Sequence, residues 1–327
     1  MSISVTGPVG QAIDRARLMT FQPFDISRWF ALGFVAWLSA LGEGGVNFNF
    51  SNPGDRGGGG GGTAFDDVGN WISANLTLVI VLAAVAVVLI LAIGLAISWL
   101  KSRATFMFID NIACNHNPTQ IARPWRAFRA QGNSLFLFWL CLGLIATAAV
   151  LVITALCFLI SLPDIHRREF GGSAIVAILV GFVLLLSVFF IVAVISACTS
   201  NFVVPLMYLR RSSTLAAWRE FRLTLLPGNA GAIVLFFLMK IALAIAVGII
   251  SVLAGCFTCC LGFLPYLSAV LTLPLHIFLR AYSLYFVQQF GPGYNIVSEP
   301  LTAGFSVISP SPPGQPPAPP TLPPPSK

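Results

Sequence analysis

Apolar residues run in long unbroken stretches along this chain, and the polar residues are gathered between them. Leu76–Leu100 holds 25 consecutive residues without a charge, Ser134–Leu162 holds 29 and Ser173–Leu209 holds 37. Such runs predict membrane-spanning helices, because about 20 residues cross the hydrocarbon. Ile241–Leu279, at 39 residues, is too long for one span. Gly and Pro within Cys259-Cys260-Leu261-Gly262-Phe263-Leu264-Pro265 permit a tight reversal, so this run reads as two spans joined by a short outer turn. The shortest candidate is Trp29–Leu41, with 13 apolar residues. It spans only if its helix starts near Asp25 or Ser27, each an N-cap type placed after Pro23. A signal-peptide core has the same length, but a 28-residue leading segment carrying Asp14 and Asp25 favours a retained helix.

Composition agrees with this pattern. Of 327 residues, 57% are hydrophobic and 9% charged, against about 25% charged in soluble domains. A soluble enzyme, a disordered chain and a disulfide-stapled module are excluded. The net charge of +7 has the look of a nucleic-acid footprint until its residues are placed. Six spans put Arg15, Arg17 and Arg28 on one side, with Lys101, Arg103, Arg123, Arg126 and Arg129 from the second connection. Arg210, Arg211, Arg219, Arg222, Lys240, Arg280 and Lys327 join them, leaving Arg56, Arg167 and Arg168 opposite. Fifteen against three follows the positive-inside rule, which places both termini in the cytoplasm. No nucleic-acid partner is expected. Lys240 and Arg280 either snorkel at the cytoplasmic edge, the reading adopted, or mark a buried site.

The chain also repeats. Trp125-Arg126-Ala127-Phe128-Arg129, then Gly132-Asn133, is matched by Trp218-Arg219-Glu220-Phe221-Arg222, then Gly228-Asn229. A looser copy surrounds Trp29. The fold expected is all-α: a polytopic membrane protein with about six transmembrane helices in three parallel helical-hairpin repeats, each preceded by an interfacial amphipathic helix. Residues 1–24 form a cytoplasmic amphipathic segment, 25–290 the membrane domain with an outer glycine-rich loop at 42–75, and 291–327 a proline-rich tail. Leu215, Trp218, Phe221 and Leu225 are expected on one helical face beside Arg219 and Arg222, and Trp125 and Phe128 beside Arg126 and Arg129. These segments are hairpin elbows or contacts for anionic lipid heads, with Trp125, Trp218 and the four Arg as the contacts.

The PFDISRWFALGF start, RATFMFIDN, PWRAFRAQGNSLF and VVPLMY…AWREF resemble a group of uncharacterised bacterial six-helix integral membrane proteins. That group is similar to the membrane domain attached to some glycerophosphodiester phosphodiesterases. The resemblance covers roughly residues 10–290. It implies a bacterial inner-membrane domain concerned with lipids, and it carries over no catalytic residue.

Chemistry is sparse. The three His, at 116, 166 and 276, form no metal pair or triad order, and Gly57–Gly62 lacks the Lys-Ser/Thr of a nucleotide loop. No cofactor is expected. Cys256-x-x-Cys259-Cys260 offers thiols for pairing or exchange, or ordinary small packing residues, the reading adopted. Asn201 before Pro205, with His276 and Arg280 one helical turn apart, forms a candidate polar pocket; the same groups also serve as glue between helices. The ten prolines between Pro310 and Pro325 give an extended tail, disordered or held by a protein partner. The function expected is non-enzymatic handling or sensing of lipid or a small amphiphilic solute. The alternative is a scaffold acting through interfacial helices and tail.

Overall fold

The structure, a computed structural model, describes residues 3–21, 25–40, 73–115, 121–167, 171–257 and 269–297. The expected CCLGFLP turn, the glycine run and the proline-rich tail lie outside the described residues, as do His116 and the side chains of His166, Cys256, Cys259 and Cys260. Among the described residues the chain is helical throughout, without strands: α1 (Gly7–Phe21), α2 (Ile26–Ala40), α3 (Leu76–Cys114), α4 (Pro124–Ala127), α5 (Arg129–Arg167), α6 (Gly172–Arg210), α7 (Thr214–Glu220), α8 (Ala230–Phe257) and α9 (Leu273–Gln288).

Four of these helices, α3, α5, α6 and α8, are long and apolar enough to cross a membrane. The described part of α2, Ile26–Ala40, has 15 residues, roughly 22 Å set against the ~30 Å hydrocarbon core. Asp25 is its N-cap, its carboxylate accepting the Ser27 amide at 2.9 Å. Helix α3 has 39 residues, or roughly 58 Å, about twice what the bilayer needs. Its two halves live in different surroundings. An 18-residue apolar stretch of α3 has no buried residue, whereas Phe106, Ile109 and Ile112 in the lower half are fully buried. The core therefore sits at the charged end of the spans. There Phe202, Leu206 and Met207 of α6, Phe236 of α8, and Ile277, Tyr282 and Phe286 of α9 close on α3 and α1. The exposed apolar upper halves are what lipid covers.

The two ends of the chain hold each other in this base. Helix α1 packs against α9, the Ser4 amide donates to Gln289 Oε1 at 2.8 Å, and the Tyr282 hydroxyl donates to the Val5 carbonyl at 3.2 Å. Buried Arg15 closes the far end of α3, donating to the Ile112 and Ala113 carbonyls that the helix terminus leaves open. Burial lowers its pKa, with Tyr285 and Cys114 acting against that; an arginine stays charged regardless. Arg28 donates to Asn115 Oδ1, and Asn115 takes the left-handed conformation that ends the helix.

Between the spans α5 and α6, small residues allow close approach: Ala177 and Gly181 are buried, and a Cβ on Gly181 would lie 2.6 Å from Cys157 Sγ. On the expected face running from α7 to Leu225, Phe221 and Leu225 do face the core and Trp218 packs partly buried against it; Leu215 alone is corrected. Thr214, Ala217, Phe221 and Leu225 point inward, while Leu215 is 74% exposed. Ser134 holds the start of this segment, its hydroxyl accepting the Thr214 amide at 3.0 Å and lying 3.1 Å from Thr214 Oγ1.

Candidate functional site: a groove at the end of the apolar run

The charge-free run of α3 ends at Leu100, and Lys101 and Arg103 follow. Arg103 bends back into protein. Its guanidinium carbon stands 4.3 Å from the Trp99 ring centroid and 5.3 Å from that of Trp125. Asn133 Oδ1 accepts from Arg103 Nη2 at 3.0 Å and from Trp99 Nε1 at 3.2 Å. The two indoles meet edge to face at 6.0 Å. The backbone of Gly132 lies against this arginine, and a Cβ there would fall 2.7 Å from Arg103 Cγ. Trp125 is thus a fixed wall.

A groove of about 970 Å³ opens beside that wall, at the upper end of the usual small-molecule range of about 300–1,000 Å³. Phe34, Val35 and Leu38 of α2 line one side, Leu100 and Met107 of α3 another, and Ala122, Arg123, Trp125, Arg126 and Ala127 the third. Among the described residues the lining is apolar except for Arg123 and Arg126. Both are exposed, and among the described residues neither guanidinium has a hydrogen bond or ion pair. The arrangement offers an apolar trough to a chain and two fork-shaped cations to an acidic group.

Of the residues predicted to meet lipid heads, Trp125 and Arg126 line this groove, and Arg129, Arg219 and Arg222 do not. Trp218 packs edge-on to Phe221 at 5.7 Å and lies 6.4 Å from Phe138. Arg123 is the residue the amphipathic pattern missed; the only signal was its place in Arg123-Pro124-Trp125-Arg126.

Asn201 and Arg280 of the predicted polar pocket do come together, with two residues not foreseen there. Thr199–Val203 is a π-helical turn, which leaves carbonyls in need of donors. Asn201 Nδ2 donates to the Ala197 carbonyl at 2.7 Å, Thr199 Oγ1 to Ile195 at 2.6 Å and Arg280 Nη1 to Ser200 at 2.8 Å. Lys240 Nζ donates to Asn201 Oδ1 and, at 2.9 Å, to Ser283 Oγ. Ser283 in turn donates to Asn201 Oδ1 at 2.9 Å. His276 is half-buried one turn before Arg280 on α9. Lys240 sits about three turns inside α8, which begins at Ala230, and turns toward α6 and α9. These bonds tie α6, α8 and α9 together.

Two stacked aromatic pairs recur at matching places. Phe106 lies over Phe128 at 6.0 Å, and Phe202 over Phe221 at 5.1 Å. Phe128 also stacks on Tyr208 at 5.1 Å, whose hydroxyl donates to Asp110 Oδ1 at 2.8 Å. Among the described residues no group of three or more His, Cys, Asp or Glu side chains is placed to hold a metal ion.

Compared with known proteins, the chain matches no curated protein and no solved structure. A family model does match, over residues 4–266, which takes in α1 through α8 and with them every wall of the groove. The chain belongs to the family of unknown function DUF7544.

Proposed function

We propose that this chain is a six-span protein of the bacterial cytoplasmic membrane, with both termini cytoplasmic, that holds or senses membrane lipid or a small amphiphilic solute without reacting it. The observation that carries the reading is the groove: an apolar trough whose charged lining residues, among those described, are arginines, placed where the apolar run of α3 gives way to Lys101 and Arg103. That junction is headgroup depth, where Trp and Arg are favoured. The fifteen-to-three division of basic residues supports the orientation. The recurrence of the Phe106–Phe128 pair as Phe202–Phe221 supports parallel hairpin repeats. The motif resemblance described above points to lipids as well.

Native mass spectrometry of the full chain released from lipid nanodiscs tests this reading. The expected result is retained lipid on the wild type, and its loss in Ala122→Trp/Ala127→Trp, which fills the groove from two exposed positions. A wild type that retains no lipid sinks the reading and leaves the scaffold alternative.

A further inference from the structure

We infer that the occupant of the groove is an anionic phospholipid, its phosphate held by Arg123 and Arg126 and an acyl chain laid along the α2–α3 trough. This rests on the lipid reading above and adds the charge class of the ligand and the residues that select it.

Three observations carry it. Arg123 and Arg126 are three residues apart, a spacing that places side chains on the same face of a helical turn. Both are exposed, with no hydrogen bond or ion pair among the described residues. Arginine forks bind phosphate oxygens through paired N–H bonds, which an uncharged amphiphile does not offer. Second, among the described residues no acidic side chain lines the groove, so there the ammonium of a zwitterionic headgroup would meet two cations and no carboxylate. Nor is an aromatic cage available for a choline: Trp125 already carries the Arg103 guanidinium at 5.3 Å and the Trp99 edge at 6.0 Å. Third, the depth is right for a lipid of the surrounding leaflet. Leu100 closes the charge-free run and lines the groove, so a chain lying on Leu100 and Leu38 places its phosphate at the level of the arginines.

The test compares nanodiscs of phosphatidylglycerol, phosphatidylcholine and an equal mixture, with the full chain analysed by native mass spectrometry. Wild type from the mixture is expected to retain phosphatidylglycerol over phosphatidylcholine by roughly tenfold, the scale of one charge-assisted hydrogen bond. Arg123→Gln/Arg126→Gln changes two exposed side chains; it is expected to bring the ratio near one while total retained lipid stays as in wild type. Equal retention of the two lipids by the wild type overturns the inference and leaves the groove reading standing. A full preference persisting in the double variant also overturns it, and moves the selectivity to other basic residues such as Arg219 and Arg222. Loss of all lipid from the wild type in both compositions fails the groove reading itself. Should the double variant not fold, the single variants Arg123→Gln and Arg126→Gln serve instead: each is expected to lower the preference, and an unchanged ratio in both overturns the assignment.

Discussion

Arg280 bonds the carbonyl that Pro205 leaves without a donor. In the π-helical turn the Val204 amide reaches back to the Thr199 carbonyl, so the next amide in register would serve Ser200. That next residue is proline and has no N–H. Arg280 Nη1 supplies the missing hydrogen at 2.8 Å from the opposite helix.

Removing this donor leaves an unmet carbonyl in the base. Arg280→Leu is expected to destabilise the protein by about 1–3 kcal/mol, read from unfolding in mixed micelles. Pro205→Ala restores an amide at the position facing Ser200. The loss caused by Arg280→Leu is therefore expected to be smaller in the Pro205→Ala background. Additive costs in that double-mutant cycle would reject the pairing.

The Asn201–Lys240–Ser283 cluster predicts an asymmetry. Lys240→Met leaves Asn201 Oδ1 its bond from Ser283 and is expected to cost under about 1 kcal/mol. Asn201→Leu takes an acceptor away from a partly buried ammonium and is expected to cost about 2–4 kcal/mol. The double variant should be milder than the sum. Additive costs in the double variant would show that Lys240 draws nothing from Asn201.

Two glycines of α5 differ in what surrounds them. Gly132→Ala drives a Cβ to 2.7 Å from Arg103 Cγ and 3.2 Å from the Arg103 Cα, and overpacking of this kind costs about 1–3 kcal/mol. Gly143 has open space around it, so Gly143→Ala is expected to be neutral or stabilising by up to about 1 kcal/mol. The same order should appear in the fluorescence of Trp99 and Trp125, which only the first substitution disturbs.

Orientation is open to labelling. With Cys114 as the single cysteine, a membrane-impermeant maleimide is expected to react only after the cytoplasmic face is opened, since Cys114 is exposed at the base. Gly172→Cys as the single cysteine, at an exposed position at the far end of α6, should label from outside in intact cells. The reverse pattern would invert the topology.

The charge-free runs located α3, α5, α6 and α8, because an uninterrupted apolar stretch has few places to go other than a bilayer. Where those helices end was harder to read. Arg103 and Lys240 look like boundaries in one dimension, yet each sits inside a longer helix, held by Asn133 and two indoles or by Asn201 and Ser283. Those partners lie on other helices, so no local pattern announces them. The groove was half legible for the same reason. Trp125 and Arg126 stood out in an amphipathic segment, whereas Phe34 and Leu38, in α2, gave no sign of facing them. Leu215 was placed on the wrong side because periodicity reports that a face exists, while its exact limits depend on packing against distant segments such as the one carrying Ser134.

The pairing of α1 with α9 sets an order of events during synthesis. The spans cross the bilayer one after another as the ribosome delivers them, each needing only lipid around its upper half. The base cannot close until Gln289 is free to meet Ser4, 285 residues earlier in the chain. Until then α1 waits with its apolar face uncovered. A chain truncated before Leu273 would be inserted and threaded, yet it would never acquire its core.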